Sequence, residues 1–162
     1  MLIMDCDGVL TDGRIIFLPG GEETKLFDSK DGHGLRMAER AGIDAAIITG
    51  RASQAVRERA RDLGLKHLYE KAIVKLEPYE KVLAAEGLTD EEICYVGDDV
   101  TDIPVMRRVG LAVAVGDAVP EAKEYAHLVT EHRGGRGAVR EVIEVILKSQ
   151  GKWDEAMERY LK

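Results

Sequence analysis

The chain has 162 residues, the size of one ordinary domain that can bury a hydrophobic core. Its 23 basic and 30 acidic residues leave a net charge of −7, which argues against a general nucleic-acid binder. No apolar stretch approaches the ~20 residues of a membrane span, and no signal peptide is visible. Together with two cysteines in apolar runs, these features predict one domain over residues 1–162, cytoplasmic and without nucleic-acid or membrane partners.

Short apolar runs alternate with helical patterns along the chain. The predicted strands are Leu2–Met4, Ala45–Ile48, Ile93–Val96 and Leu111–Val115, with weaker candidates at His67–Tyr69 and His127–Val129. The predicted helices are Gly34–Arg40 before Gly42, Gln54–Leu63 between a Ser53 cap and Gly64, and a stretch through Pro78 to Glu86. This alternation predicts an α/β fold with a doubly wound parallel sheet.

Residues 14–28 interrupt the alternation directly after the first strand. Two strand-like runs, Arg14–Leu18 and Glu23–Phe27, flank the turn cluster Pro19–Glu22. Such a pattern predicts a β-hairpin, which would overhang the end of the first strand. The chain shows no linker or internal repeat, and residues 151–162 are predicted to form a charged tail.

The first strand runs directly into a pair of carboxylates, Asp5 and Asp7. The carboxyl ends of parallel strands are where α/β sheets hold their ligands. One carboxylate could attack phosphorus while the other handles the proton of the leaving group, and a divalent cation would hold the anions together. The start of the chain therefore predicts phosphoryl transfer through an aspartyl-phosphate.

A second strand ends in Thr49, Gly50 and Arg51. This segment offers a phosphate group a hydroxyl, backbone N–H groups and a guanidinium. A plain turn before a Ser-capped helix would have the same sequence, so the segment alone leaves both interpretations open.

Two further segments would lie at the same edge of the sheet. Residues 97–102 hold three carboxylates after a strand, a crowding that favours a bound cation, although one aspartate could instead cap the next helix. Lys75 lies near the start of a helix, where a cation is unfavourable unless an anion meets it. Lys71 and Lys81 are its rivals as a phosphate ligand.

In combination, these segments resemble the haloacid dehalogenase superfamily of phosphotransferases. Its four motifs match, in order, Asp5-x-Asp7-Gly8-Val9, Thr49, Lys75 and Gly97-Asp98-Asp99-x-x-Asp102. The resemblance implies that Asp5 is the nucleophile and Asp7 the general acid and base. It also implies that Thr49 and Lys75 hold the transferring phosphoryl group.

The same resemblance implies a Mg²⁺ site. Asp5, Asp98 and the backbone carbonyl of Asp7 would be its protein ligands. Asp99 and Asp102 would be supporting residues that orient Lys75, the metal or its waters. A Mg²⁺ ion accepts few carboxylates and keeps several waters, which suits this small donor set.

A closer resemblance is to the small phosphatases without a cap domain that act on 3-deoxy-D-manno-octulosonate 8-phosphate. It rests on residues 5–13, 31–34, 47–51, 97–106 and 134–141. It implies hydrolysis of that ester in lipopolysaccharide precursor synthesis. It also implies a homotetramer in which the hairpins associate and a neighbouring subunit helps to cap the site.

Substrate-binding residues are predicted from the chemistry of a sugar acid phosphate, whose carboxylate calls for an arginine. Arg51, beside Gly50, adjoins the phosphate-binding turn and is the first candidate. Arg59 follows two helical turns later on the same face, or belongs to a solvated helix surface. Arg136 and Arg140 either reach the site or begin the last long helix, and His33 either touches substrate or is a loop histidine.

Other functions stay open on sequence grounds. The nearest is a phosphatase for a related nonulosonate or another sugar phosphate, because such pockets differ by few residues. A non-catalytic oligomerisation module is a second, against which the intact Asp5, Asp7, Lys75 and Asp98 argue. A phosphoacceptor receiver domain is a third, which the paired aspartates and the hairpin disfavour.

Overall fold

The computed structural model describes residues 1–162 and contains eight strands and seven α-helices. The strands are β1 (Leu2–Met4), β2 (Ile16–Phe17), β3 (Glu23–Thr24), β4 (Ala45–Ile48), β5 (His67–Tyr69), β6 (Cys94–Gly97), β7 (Leu111–Ala114) and β8 (Leu128–Val129). The helices are α1 (Ser29–Arg40), α2 (Gln54–Asp62), α3 (Leu76–Glu86), α4 (Ile103–Met106), α5 (Pro120–Glu124), α6 (Ala138–Ser149) and α7 (Trp153–Glu158).

Six parallel strands form the central sheet in the order β5-β4-β1-β6-β7-β8. This confirms the predicted α/β fold with a parallel sheet. β1 lies in the middle, with Met4 paired to Ile47 of β4 and to Val96 of β6. Because the register is level, the residues that follow β1, β4 and β6 emerge side by side at one edge.

The hydrophobic core surrounds the central strands. β1 is fully buried, as are most of β4, β6 and β7, and apart from Cys94, Tyr95 and Gly97 of β6 their residues are Leu, Ile, Met, Val and Ala. Strands buried on both faces have continuous apolar runs, which is the reason why they are visible in the sequence. α1 packs on α6 and α3 packs on α4. None of the helices has the length and apolar character that a bilayer crossing requires.

The start of one predicted helix and the cap of another differ from what the structure shows. α1 begins five residues earlier than predicted, at Ser29, because the Asp28 side chain caps it by accepting a hydrogen bond of 2.6 Å from the Lys30 backbone N–H. Ser53 does precede α2, but its hydroxyl makes no capping bond and lies buried without a partner. The predicted Ser53 side-chain cap is therefore wrong. The contact that Ser53 does make is through its backbone N–H, which donates a hydrogen bond to Glu70.

Residues 14–28 contain a short antiparallel pair rather than a long hairpin. Ile16 pairs with Thr24 and Phe17 with Glu23. Between β1 and β4 the chain forms only this pair and α1. Two paired residues a side give little intrinsic stability, so side-chain contacts with the rest of the protein must hold the hairpin in place.

Candidate active site

A cleft of about 360 Å³ lies where β1, β4 and β6 end. Eleven residues from four separate segments line it: Asp5, Asp7, Thr49, Gly50, Arg51, Ala72, Ile73, Lys75, Asp98, Asp99 and Thr101. The structure therefore brings together most of the residues that the sequence analysis singled out. The rivals Lys71 and Lys81 do not line this cleft.

Asp5 follows the central strand and is nearly buried. Its Oδ1 accepts a hydrogen bond of 2.6 Å from the Cys6 backbone N–H, and its Oδ2 lies 2.7 Å from Nζ of Lys75. Burial raises the pKa of Asp5 to about 6, against the opposing effect of the nearby Lys75 charge. One oxygen is thus held by the backbone while the other faces a cation.

Lys75 immediately precedes α3, with its side chain only 2% exposed. Its Nζ donates a hydrogen bond of 2.6 Å to Oδ1 of Asp102 as well as contacting Asp5. Burial acts to lower the pKa of Lys75, but the charges of Asp102 and Asp5 outweigh it and raise that pKa. These two anions explain why a lysine is tolerated at the start of a helix.

Asp102 is completely buried and all its acceptor positions are engaged. Besides Lys75, its Oδ1 accepts from the Tyr95 hydroxyl at 2.6 Å, while its Oδ2 accepts from the backbone N–H groups of Asp98 and Asp99 at 3.0 and 3.2 Å. Asp102 therefore positions Lys75 and the turn after β6. Asp99 instead caps that turn through the Val100 N–H at 2.7 Å, the alternative left open for this segment.

Asp98 has a buried oxygen, Oδ1, without any hydrogen-bond partner. Burial, together with the charges of Asp102 and Asp5, raises the pKa of Asp98 to about 8. Gly8 makes room for this carboxylate, because a Cβ at that position would lie 2.0 Å from Oδ2 of Asp98. Gly8 also has a φ of +88°, which other residues rarely adopt.

These carboxylates fit a magnesium ion. One oxygen from each of Asp5, Asp98 and Asp102 lies within 4.8 Å of the others. Asp102 is saturated by hydrogen bonds, so Asp5 and Asp98 are the side chains with capacity left. A buried, unpartnered carboxylate oxygen amid like charges is the environment that a hard cation relieves.

Asp7 faces a second lysine, which the sequence analysis missed. Nζ of Lys25 donates to Oδ1 of Asp7 and lies 2.7 Å from Oε1 of Glu23. Oε2 of Glu23 in turn accepts a hydrogen bond of 2.7 Å from Arg51. The hairpin pattern predicted that this segment overhangs the site, but alternation alone could not decide which of its side chains point inward.

A glycine-rich segment, residues 134–137, braces the loop that carries the two aspartates. A Cβ on Gly134 would lie 1.6 Å from the carbonyl oxygen of Gly8, and the Gly135 N–H donates to Val9 O at 2.8 Å. Asp31 holds the other end of the segment by accepting hydrogen bonds from the backbone of Gly137 and Arg140. The segment thus contacts the catalytic loop through its backbone.

Four further candidates for substrate binding lie outside the cleft lining. The three arginines pair with other groups: Arg59 with Asp62 and Asp28 O, Arg136 with Asp12 and Arg140 with Glu144. The His33 ring packs edge-on against the Tyr160 ring. Within one chain, the structure does not bring these four to the predicted site. The sequence pattern predicted that Arg59 lies on a helix, and it does lie on α2. Helical spacing could not show that its guanidinium donates a hydrogen bond to Asp28 O.

A family model described as haloacid dehalogenase-like hydrolase matches residues 17–110 of the chain. Among characterised proteins, the 3-deoxy-D-manno-octulosonate 8-phosphate phosphatase KdsC of Escherichia coli K12 is 48% identical over 156 residues. That match covers 96% of this chain and 83% of the relative.

Solved structures show the same fold. The octulosonate phosphatase of Yersinia pestis matches with a TM-score of 0.93 and 48% identity, over 94% of this chain and 83% of that one. The 3-deoxy-D-manno-octulosonate 8-phosphate phosphatase of Moraxella catarrhalis, in complex with magnesium, phosphate and KDO, matches with a TM-score of 0.96 and 37% identity. This match covers 98% of this chain and 91% of that one.

Proposed function

The chain belongs to the haloacid dehalogenase-like hydrolases, and on that premise we propose that it is a Mg²⁺-dependent phosphomonoesterase acting on 3-deoxy-D-manno-octulosonate 8-phosphate. The products are the free sugar acid and inorganic phosphate. The observation that carries this proposal is the cleft that joins Asp5, Asp7, Lys75 and Asp98. The 48% identity to the octulosonate phosphatase over nearly the whole chain supports the choice of substrate.

In the first half-reaction, Asp5 attacks the phosphorus of the ester. A bond forms between a carboxylate oxygen of Asp5 and phosphorus while the bond from phosphorus to the sugar oxygen breaks. Lys75, 2.7 Å from Oδ2 of Asp5, is near enough to offset the negative charge on the transferring group. Thr49 lines the same cleft and offers a hydroxyl to that group.

Asp7 moves the protons. It donates a proton to the departing sugar oxygen, and it then takes a proton from the water that hydrolyses the aspartyl-phosphate. The two half-reactions need opposite protonation states, so one carboxyl group serves both in sequence. Asp7 lines the cleft beside Asp5, which makes both transfers possible from one side chain.

Mg²⁺ would be held by Asp5, Asp98 and the backbone carbonyl of Asp7. A bound Mg²⁺ supplies a positive charge that lets two anions, the nucleophile and the phosphate, approach each other. The unpartnered buried oxygen of Asp98 supports this assignment. Asp102 keeps Lys75 and the turn after β6 in place around the ion.

Arg51 is the proposed ligand for the carboxylate of the sugar acid. It lines the cleft and its side chain is 45% exposed, so a ligand can reach the guanidinium. Its present partner, Glu23, is an anion that a substrate carboxylate would imitate or replace. A related nonulosonate phosphate carries the same two anionic groups and is the second candidate substrate.

The protein is proposed to act as a homotetramer in the cytoplasm. Phe17, Leu18 and Leu26 of the hairpin region expose apolar side chains, as Ile73 does at the rim of the cleft. An exposed apolar patch beside a shallow site suits a neighbouring subunit that covers it. Cys6 and Cys94 are buried free thiols, in keeping with a reducing compartment.

A substrate panel tests the assignment. We expect the octulosonate phosphate to have the highest kcat/KM among sugar and sugar-acid phosphates, with activity lost on chelation of Mg²⁺. Arg51→Met should raise KM for sugar-acid phosphates much more than for neutral sugar phosphates, because only the former carry the carboxylate. A neutral sugar phosphate as the preferred substrate would contradict the assignment.

The assembly is tested separately. Phe17→Asp should yield species smaller than the wild type in light scattering, because a charge would be placed in a contact between hairpins. Lys30→Asp introduces the same side chain at an exposed position of α1 and is the control. Equal masses for Phe17→Asp and the wild type would count against hairpin-mediated assembly.

A further inference from the structure

Lys25 is buried at a place where lysine is rare. Its side chain is 1% exposed, although it directly follows the two-residue strand β3 in an exposed hairpin. Lysine is almost never fully buried unless it is paired, and fixing its long side chain costs rotamer entropy. The two contacts that accompany this burial are Asp7 and Glu23, so the surroundings of Lys25 are built around these anions.

Asp7 depends on Lys25 for its orientation. The Asp7 carboxylate has no other side-chain or backbone hydrogen-bond partner, whereas Asp5 is held by both Cys6 N–H and Lys75. Lys25 itself does not line the cleft, so it contacts the acid and base rather than the substrate. Each of the two aspartates therefore has its own lysine.

We infer that Lys25 is a positioning residue that holds the Asp7 carboxyl group toward the leaving-group oxygen, and that Glu23 holds Lys25 in place. This inference rests on the proposed role of Asp7. Proton transfer needs the carboxyl oxygen within hydrogen-bond reach of the ester oxygen, and a freely rotating side chain spends little time there. Lys25 restricts that rotation from outside the cleft.

Glu23 links this arrangement to the rest of the site. Its Oε1 lies against Lys25 and its Oε2 accepts from Arg51, which follows β4 of the central sheet. A chain of contacts thus runs from Arg51 through Glu23 and Lys25 to Asp7. Because both Glu23 and Lys25 belong to the hairpin, the hairpin has to be ordered for Asp7 to be oriented.

The chemistry supplies a specific test. When the bond from phosphorus to a sugar oxygen breaks, the alkoxide must receive the proton of Asp7, whereas p-nitrophenolate is stable as an anion and leaves without it. A residue that orients Asp7 as the acid should therefore matter for the first half-reaction with alkyl phosphates and hardly at all for the first half-reaction with p-nitrophenyl phosphate. The second half-reaction uses Asp7 as the base and is the same for both esters, so the comparison is made on the first turnover. A residue that only supports the fold should affect both esters alike.

We expect Lys25→Met to slow single-turnover cleavage of the best alkyl phosphate by ~10²-fold, with the first-turnover release of p-nitrophenolate within about threefold of wild type. Lys25→Arg keeps a cation and should recover part of the loss. Lys30→Met removes an exposed lysine five residues away and is the matched control. In an Asp7→Asn background, Lys25→Met should cause no further loss, since no acid remains to be oriented.

Equal losses on the two esters, or no loss on either, would overturn the inference. So would an additive loss in the double variant. If Lys25→Met does not fold, Glu23→Gln gives a second test, because it removes the anion that holds Lys25 and should cause a smaller loss of the same kind. Since Glu23 also pairs with Arg51, this variant is compared on an alkyl phosphate without a carboxylate. The comparison uses whichever alkyl phosphate the wild type cleaves, so failure of the octulosonate assignment would be seen in the wild type and would leave this test intact.

Discussion

Two buried lysines contact the catalytic loop from different parts of the molecule. Lys75 stands at the start of α3, and its partners Asp5 and Asp102 follow central strands of the sheet. Lys25 belongs to the hairpin, with Asp7 and Glu23 as its partners. Side chains of the Lys75 partners are 10% and 0% exposed, against 19% and 12% for those of Lys25.

The two sets of ion pairs differ in what holds them in place. We call Lys75, Asp5 and Asp102 the Lys75 cluster. Its aspartates follow strands that are held by backbone hydrogen bonds and apolar packing, which do not depend on these charges. The Lys25 cluster is fixed by its own ion pairs, since the hairpin has only two paired residues on each strand. Leaving the more deeply buried partners of Lys75 without a cation costs more, so we expect the Lys75 cluster to affect stability and the Lys25 cluster to affect mainly catalysis.

The largest effect is expected from Asp5→Asn, in the first cluster. The substitution keeps the shape of the side chain and removes the proposed nucleophile, so kcat should fall by roughly 10⁴-fold or more while the protein stays folded. Turnover with Mg²⁺ and circular dichroism measure the two quantities. Substantial remaining turnover would remove Asp5 from its assigned role.

Lys75→Met should be the next in size and should separate the two clusters. It removes the cation beside the nucleophile, for a loss of ~10²–10³-fold in kcat. It also leaves Asp5 and Asp102 buried without their partner, which should lower the free energy of unfolding by about 3–5 kcal/mol. Urea denaturation of Lys75→Met and Lys25→Met compares the two losses in the free energy of unfolding. Equal losses would refute the expectation that the Lys75 cluster matters more for stability.

Metal-free protein should lose stability as the pH rises. The pKa values of Asp98, about 8, and Asp5, about 6, lie above the unfolded value of 3.8, mainly because both groups are buried. At these two groups the folded state therefore binds more protons than the unfolded state from about pH 4 to about pH 8, so their contribution to stability is fully present below this window and falls through it.

Mg²⁺ should reverse this loss, because the ion replaces the protons between the same carboxylates. Melting temperatures with chelator and with Mg²⁺, at about pH 5 and about pH 8, test both parts. We expect the Mg²⁺-induced increase in Tm to be larger at the higher pH. Asp98→Asn should lose most of the pH dependence, and a Tm of the metal-free protein that rises with pH would contradict the prediction.

The smallest effect is expected at Ser53, outside both clusters, which provides a baseline. Ser53→Ala should change the free energy of unfolding by less than ~0.5 kcal/mol, because the hydroxyl it removes is buried without a hydrogen bond. A true N-cap serine would cost ~1 kcal/mol on the same substitution. Thermal denaturation distinguishes the two values.

The parallel sheet and the first cluster were predictable for a shared reason. Buried parallel strands are continuous apolar runs, and Asp5, Thr49 and Asp98 each follow one of them directly. Lys75 was ambiguous in the sequence, since a cation near a helix start could be solvated or paired. The resemblance to a known family favoured Lys75, and the cleft lining agrees.

The hairpin cluster was not predictable from local pattern. Glu23 lies on the short strand β3 and Lys25 directly follows it, and charged side chains there are most often solvated. The saturation of Asp102 also depends on Lys75 and Tyr95, which belong to other elements. His33 and Arg59 looked suitable for substrate because spacing cannot show that the His33 ring packs on Tyr160 and that Arg59 pairs with Asp62.

By itself, the sequence determined which predicted strands are followed by reactive side chains. The pair Asp5 and Asp7 follows the first strand, Thr49 follows the second long strand, and Asp98 follows a later one. Periodicity and motif spacing carry that information because they act along the chain. Only the tertiary structure decided which carboxylate receives which lysine. That choice depends on distances across the fold, where burial makes an unpaired charge costly and Asp5 and Asp7 must each have a cation close by.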